Sequence, residues 1–231
     1  MREIVMDTET TGFEPESGDR IVEIGGVELW NHMPTGRTYH QYINPERDMP
    51  EEAFQVHGLS EEFLSDKPKF AEIGDAFLEF VGDATLVIHN ATFDMKFLNA
   101  ELRWMGRRTL PDSQALDTLA IARKKFPGSP ASLDALCRRF GIDNSARTLH
   151  GALLDSEILA DVYLELIGGR QPGLVLDTSA TSGSSGGGSE WRPRPRPEPL
   201  PARIHADEAE AHAKFVEALG PECVWAKYAT K

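Results

Sequence analysis

Three short segments carry residue types whose spacing fits one kind of chemistry. The first is Asp7-Thr8-Glu9-Thr10-Thr11-Gly12, which follows the apolar run Ile4-Val5-Met6. Side chains alternate across a strand, so Asp7 and Glu9 project to one face. Two carboxylates at that spacing repel one another unless a cation sits between them; the plain alternative is a solvated strand end before a turn. The second is His89-Asn90-Ala91-Thr92-Phe93-Asp94, where a buried strand passes into a helix. Asp94 falls in the first turn, which the macrodipole alone favours for an acid. At about 100° per residue it also shares a face with Leu98 and Met105, although Glu101 on that face blurs the argument. The third is Leu149-His150-Gly151-Ala152-Leu153-Leu154-Asp155. The inward stripe of the helix that follows is Ile158, Leu159, Val162 and Leu166, and Asp155 lies in line with it. An unpaired carboxylate there is costly to bury, so a metal or a salt partner is the natural compensation. His150 falls in the loop just before that helix and leans over the same pocket. Four carboxylates and a histidine suit a particular reaction. Hard oxygen ligands select Mg²⁺ or Mn²⁺. Two such ions about 3.5–4 Å apart stabilise the attacking and leaving oxygens of an in-line phosphoryl displacement. A histidine with an unperturbed pKa of about 6.5 can take the proton from the attacking water. A zinc site would want more His or Cys, and a Ser-His-Asp site needs a placed serine; neither pattern is evident.

The elements that must position these groups read as one α/β unit over residues 1–170. Ile4-Val5-Met6 opens a strand, Ile21 to Leu29 forms a second and Thr38 to Ile43 a third, each bounded by turn formers such as Gly12, Gly18 and Asn31-His32. Short connections predict an antiparallel meander. Helical and strand patterns then alternate: a helix over Phe70–Phe80, a buried strand over Thr85–Ile88, a helix over Thr92–Met105 and a short strand over Ala115–Thr118. Helices near 119–126 and 131–140 follow, and the last core helix runs from about Ala152 to Ile167 before the stop signal Gly168-Gly169. Strands first, then alternation, predict a mixed sheet flanked by helices.

After Gln171 the composition changes. Residues 178–189 are Ser, Thr, Gly and Ala, a flexible tether, and Arg192-Pro193-Arg194-Pro195-Arg196-Pro197 begins an extended stretch. We therefore assign 177–203 as a linker. Residues 204–220 regain helical character, with Phe215, Val216 and Leu219 on a small apolar face. A lone helix of that length is marginal in water, so 204–231 reads as a short tail that folds onto a partner.

The formal charge of −13 argues against tight autonomous binding to duplex DNA. It leaves room for an enzyme that grips only a strand end, with bound cations supplying positive charge, while a partner holds it on its substrate. The acidity belongs to the catalytic unit: residues 1–176 hold 17 Lys/Arg against 29 Asp/Glu. Only two cysteines occur, Cys137 and Cys223, without metal-ligand spacing, as expected of reduced thiols. Charge flanks the short apolar run at the N-terminus, which resembles neither a signal nor a transit peptide, and no apolar run is long enough to span a bilayer. A cytoplasmic protein with no membrane partner is the expectation.

Asp-x-Glu at Asp7 and Glu9, Asn-x-x-Phe-Asp at Asn90 to Asp94 and His-x₄-Asp at His150 to Asp155 resemble, in this order, the three motifs of the DEDDh 3′→5′ exonucleases. The resemblance covers about 170 residues and implies a ribonuclease H-like fold. It further implies that Asp7, Glu9, Asp94 and Asp155 hold two Mg²⁺ or Mn²⁺ ions, with His150 as general base. Thr8, Thr10, Thr11, His57, Asn90 and Phe93 would contact the substrate, a single-stranded DNA 3′ end. A narrower resemblance is to the proofreading subunits of bacterial replicative DNA polymerases. It rests on Val87-Ile88-His89-Asn90, on Ser132-Leu133-Asp134-Ala135-Leu136-Cys137, on Thr148 to Asp155 and on Cys223-Val224-Trp225 near the end. It implies that the tail, through Phe215, Val224 and Trp225, binds the polymerase subunit, with a small third core subunit as a further candidate partner. Gln171-Pro172-Gly173-Leu174-Val175-Leu176 fits the pattern of sliding-clamp ligands, with Gln171, Leu174 and Leu176 as anchors; the alternative is the start of the linker. The Arg-Pro repeat has no counterpart in the resemblance.

Two other functions fit parts of the same pattern. A freestanding DEDDh enzyme trimming RNA ends or oligonucleotides would share the motifs but has no need of a long docking arm. A scaffold with a degenerate site would not require all five catalytic positions to be intact.

Overall fold

The computed structural model describes residues 1–145, 147, 149–169, 204–220 and 224. The chain divides into an N-terminal and a C-terminal unit, which are described separately. In the first, β1 (Arg2–Thr10), β2 (Ile21–Trp30) and β3 (Met33–Tyr42) form an antiparallel meander. β4 (Thr85–Ile88) and β5 (Ala115–Asp117) then add in parallel on the other side of β1, giving the order β3-β2-β1-β4-β5. The turn between β2 and β3 is the two-residue Asn31-His32, both at positive φ, the geometry that matches strand twist in a tight hairpin. Helices α1 (Glu51–His57), α2 (Glu61–Leu64), α3 (Phe70–Val81), α4 (Ala91–Trp104), α5 (Thr118–Lys125), α6 (Leu133–Phe140) and α7 (Ala152–Leu166) complete the unit. The mixed sheet flanked by helices is the architecture expected.

β1 lies at the centre, and its alternation builds the two halves of the core. Ile4 and Met6 face a layer with Phe70 and Phe77 of α3 and Phe97 and Leu98 of α4. Val5 faces the other layer, with Ile158, Leu159 and Val162 of α7 and Leu136 of α6. Period two then carries Asp7 and Glu9 to the α7 side of the sheet and Thr8 to the α4 side.

Three local expectations need correction. β3 begins at Met33 rather than Thr38. Pro34 and Gly36 argue against a strand interior, but β3 is an edge strand, where a missing ladder donor costs little. α1 and α2 were not expected, because both are short and largely exposed and so lack an apolar period. Ser60 caps α2 by accepting the Phe63 N–H at 3.1 Å. The short strand after α4 ends at Asp117 rather than Thr118, because Asp117 caps α5 by accepting the Leu119 N–H at 2.9 Å.

The second unit contains α8 (Ala206–Ala218), whose entry is closed by Glu208 accepting the His205 N–H at 2.9 Å. Phe215 and Leu219 are exposed on it, and Val224 beyond it is exposed too. Gln171, Leu174, Leu176 and Trp225 lie outside the described residues. No described helix is long and apolar enough to cross a membrane.

Candidate active site

The three motif segments converge at the C-terminal end of β1. β1 supplies Asp7 and Glu9. The β4–α4 junction turns through Asn90, which adopts a left-handed conformation (φ 70°) and whose N–H is held by Asp117 Oδ1 at 3.0 Å. That bend sets Asp94 in the first turn of α4, where it is 2% exposed and accepts the Thr8 hydroxyl at 2.7 Å. Asp155 sits in the first turn of α7, 3% exposed in line with Ile158, Leu159 and Val162. His150 precedes α7 with its backbone N–H on the Val56 carbonyl at 3.1 Å, its ring about half exposed and Nδ1 3.4 Å from Asp155 Oδ2. Ligand atoms of Glu9, His150 and Asp155 lie within 4.8 Å of one another.

Electrostatics show how unfavourable this convergence is without a cation. Burial, then the charges of Asp94, Glu9 and Asp155, push the Asp7 carboxyl well above the usual range. Burial, then Asp155, Glu23 and Asp94, push Glu9 up to about 8. Burial lifts Asp94 to about 7 against the Thr8 hydroxyl. Asp155 behaves differently: burial raises it, but hydrogen bonds from His150 and Arg147 and the guanidinium charge outweigh that and hold it low. A crowd of oxygen donors that resists ionising together is what a hard divalent cation relieves, and its binding displaces protons. The donor chemistry therefore fits Mg²⁺ or Mn²⁺.

Two cavities flank the cluster. One, of about 450 Å³, is lined by Asp7, Asn90, Ser132, Asp134, Arg147, His150 and Asp155. The other, of about 440 Å³, is lined by Thr8, Glu9, Thr10, Thr11, His57 and Phe93, with Phe13 at its rim. Of the residues expected to contact substrate, five thus share one cavity, while Asn90 faces the other. Phe13 is exposed and meets Phe93 edge-on at 6.5 Å. His57 is buried, and its Nδ1 accepts the Leu59 N–H at 3.0 Å. Its Nε2 makes no well-formed hydrogen bond, only a loose interaction with the Thr10 backbone. Burial, then the neighbouring His150, lowers its pKa and favours the neutral ring.

Sequence reasoning missed Arg147, Gly25 and Phe13. Arg147 stands three residues before His150, and a lone guanidinium beside an acidic motif was the available signal. Gly25-Gly26 in the middle of β2 was a second signal, since glycine inside a strand marks a close backbone approach. Gly25 pairs with Asp7 across the sheet, and α7 begins directly over it: an added Cβ would lie 2.2 Å from the Ala152 carbonyl carbon and from the Leu153 nitrogen. Ser156 Oγ donates to the Gly25 carbonyl at 3.1 Å, and Glu23 accepts the Ala152 N–H at 3.2 Å.

Comparison with known proteins agrees with this geometry. The sequence model of the exonuclease family matches residues 4–163. The DNA polymerase III subunit epsilon of Rickettsia felis is 59% identical over 174 residues, covering 74% of this chain and 76% of that protein. The Escherichia coli K12 subunit is 43% identical over 235 residues, 97% of each chain. Among solved structures, exonuclease X in complex with 5′-overhanging duplex DNA superposes with a TM-score of 0.55 at 26% identity, covering 72% of this chain and 90% of that one. The nuclease domain of 3′hExo, a DEDDh family member bound to rAMP, gives 0.61 at 20% identity over 72% and 91%, and supports the ribonuclease H-like fold alone. With a 3′→5′ exonuclease domain on that fold and a relative matched over nearly its whole length, the chain belongs to the family of DNA polymerase III epsilon subunits.

Proposed function

We propose that this chain is the proofreading exonuclease of a bacterial replicative polymerase, removing mismatched 3′-terminal nucleotides as 5′-monophosphates. The observation that carries the reading is the convergence of four carboxylates and one accessible histidine at the end of β1. Asp7, Glu9, Asp94 and Asp155 are the residues that would hold two divalent cations, Mg²⁺ or Mn²⁺. Bound there, such ions supply the charge stabilisation of an in-line phosphoryl displacement. His150 takes the proton of the attacking water, and its exposure gives that water access. Thr10, Thr11, His57 and Phe93 form the floor and wall for the terminal nucleotide, Thr8 fixes Asp94, and Asn90 stands beside the phosphate path. An acidic core gains little from gripping a duplex, and unpairing costs less at a mismatch, so frayed single-stranded ends are the preferred substrate.

The decisive test is a time course with Mg²⁺ on two 5′-labelled single strands of one sequence, DNA and RNA, with Asp7→Ala as control. Progressive 3′ shortening of DNA that is absent in the control is expected. Shortening of RNA alone would replace this reading with RNA trimming, and silence on both would leave a scaffold. His150→Gln is expected to slow hydrolysis by roughly 10²–10⁴-fold. Mn²⁺ binding should persist in that variant; hydrolysis at the wild-type rate would remove His150 as the base.

The domain assignment follows the same reading: an exonuclease domain over 1–170, a clamp-binding segment over 171–176, a linker over 177–203 and a polymerase-binding tail over 204–231. The tail engages the polymerase subunit through Phe215, Val224 and Trp225; α8 presents no buried face of its own. A peptide of residues 190–231 is expected to retain that subunit in a pull-down, and its failure to do so would remove the assignment. Gln171, Leu174 and Leu176 anchor the sliding clamp; replacing Gln171 and Leu174 with Ala should weaken clamp binding and leave hydrolysis intact. A small third subunit and a cytoplasmic setting complete the proposal.

A further inference from the structure

Arg147 is only 9% exposed, and each of its three guanidinium nitrogens meets a partner in the site. Nε donates to Asp155 Oδ1 and Nη2 to Asp155 Oδ2 at 2.8 Å, so both oxygens of that carboxylate are taken by one fork. Nη2 also lies 2.8 Å from His150 Nδ1. Nη1 donates to Asp134 Oδ1 at 2.9 Å, an acid on α6 that is half exposed and is itself fixed by the Asn144 amide at 2.9 Å. Asp155, whose carboxylate Arg147 grips, offers a ligand atom within 4.8 Å of those of Glu9 and His150. A bidentate arginine–carboxylate pair is among the strongest of charge-assisted contacts, and a cation that needs the same lone pairs must compete with it.

We infer that Arg147 is the resident counter-cation of the metal-free site, holding Asp155 and His150 in place until a divalent ion displaces its guanidinium toward Asp134. The inference rests on the reading that Asp155 and His150 belong to a metal-dependent site; hydrolysis of DNA by the wild-type protein tests that reading separately. Without Arg147, Asp155 would be a buried charge with only the half-exposed His150 beside it. With Arg147 it is paired and oriented. Asp134 gives the displaced guanidinium a second acceptor that it already touches, so the exchange needs no unpaired intermediate. Arg147 is in these terms a positioning residue, and its cost is a weaker apparent metal affinity.

The test is calorimetric titration of Mn²⁺ alone, without nucleic acid, into the full-length wild-type, Arg147→Gln and Arg147→Lys proteins, with melting curves in chelator and in saturating Mn²⁺. Arg147→Gln is expected to bind Mn²⁺ about tenfold more tightly, the equivalent of one lost charge-assisted contact. Arg147→Lys keeps the charge but not the fork, so a smaller tightening is expected. Both should melt lower than wild type in chelator and close to it in Mn²⁺. Unchanged or weaker Mn²⁺ binding by Arg147→Gln would overturn the inference. Lysine binding Mn²⁺ as wild type does would reduce the effect to bare charge and overturn it as well. Should neither variant fold, the Arg147 Nε–H resonance of the wild-type protein carries the test: it is expected to shift on adding Mg²⁺, and a resonance that stays in place would overturn the exchange.

Discussion

Asp7→Asn is expected to abolish hydrolysis and yet to raise the melting temperature of the metal-free protein. The loss of activity follows from removing a central oxygen donor, and a fall of at least about 10³-fold is anticipated. The gain in stability follows from the repulsion that the native fold sustains. Asp7 is driven up by burial and then by Asp94, Glu9 and Asp155, so a neutral amide of the same shape removes both the buried charge and its repulsion from its neighbours. For a chain of this size each kcal/mol relieved raises the midpoint by roughly 2–4 °C. The pH dependence has a definite sign. Glu9 titrates near its ordinary 4.5 when unfolded and at about 8 when folded, and Asp94 moves from 3.8 to about 7. The folded state therefore keeps protons that the unfolded state has released. That stabilisation is fully present below the unfolded values and is lost as pH rises through the folded ones. Asp7 is held well above its ordinary 3.8 in the same way, and only wild type carries that loss as pH rises, so the advantage of Asp7→Asn over wild type should widen between pH 5 and pH 8 in chelator and reverse in Mn²⁺. Melting curves in both media across that range check it. A variant less stable than wild type in chelator at pH 8 would show that the carboxylates do not repel one another as their burial implies.

The site was legible in sequence because each motif pairs a chemical type with a period. Asp7 and Glu9 sit two apart on a strand, and Asp155 sits in the apolar stripe of its helix; both statements survive in the structure because alternation and helical pitch are fixed by backbone geometry. Glu101 blurred the reading of Asp94, since both face inward on α4. The structure resolves this through Arg20, whose Nε and Nη2 each meet Glu101 at 2.8 Å and so remove it from the site as an already paired acid. Such a pairing joins residues 81 positions apart and leaves no local signature. Arg147 was hidden for the opposite reason: it lies within the third motif's own neighbourhood, yet a single arginine in a loop has no period to mark it. α1 and α2 were invisible because their burial is slight, whereas the parallel addition of β4 beside β1 was implied only by the helix–strand alternation.

Gly25→Ala is expected to be the most damaging added methyl group among the described glycines. β2 and α7 approach so closely at Gly25 that a Cβ would sit 2.2 Å from the Ala152 carbonyl carbon and the Leu153 nitrogen and 2.3 Å from the Ala152 oxygen. These are backbone atoms, so no rotamer change relieves the clash and the first turn of α7 must lift. That turn carries Asp155, follows His150 and is tied to β2 through Ser156 and Glu23. Overpacking of this kind costs about 3 kcal/mol or more. A displacement near 1 Å of groups that must meet Asp7 across the same strand pair costs about 10²-fold in rate. Gly26 supplies the control. It faces the other layer, where an added Cβ meets Ile4 Cγ2 at 3.4 Å and a Phe80 ring carbon at 3.5 Å, close to ordinary contact distances. Gly26→Ala should therefore stay within about 1 kcal/mol of wild type and keep its rate. Urea denaturation and single-turnover hydrolysis of both variants decide the matter. If the two glycines tolerate alanine equally, α7 is not seated on Gly25, and Asp155 owes its position to the Arg147 fork rather than to the sheet.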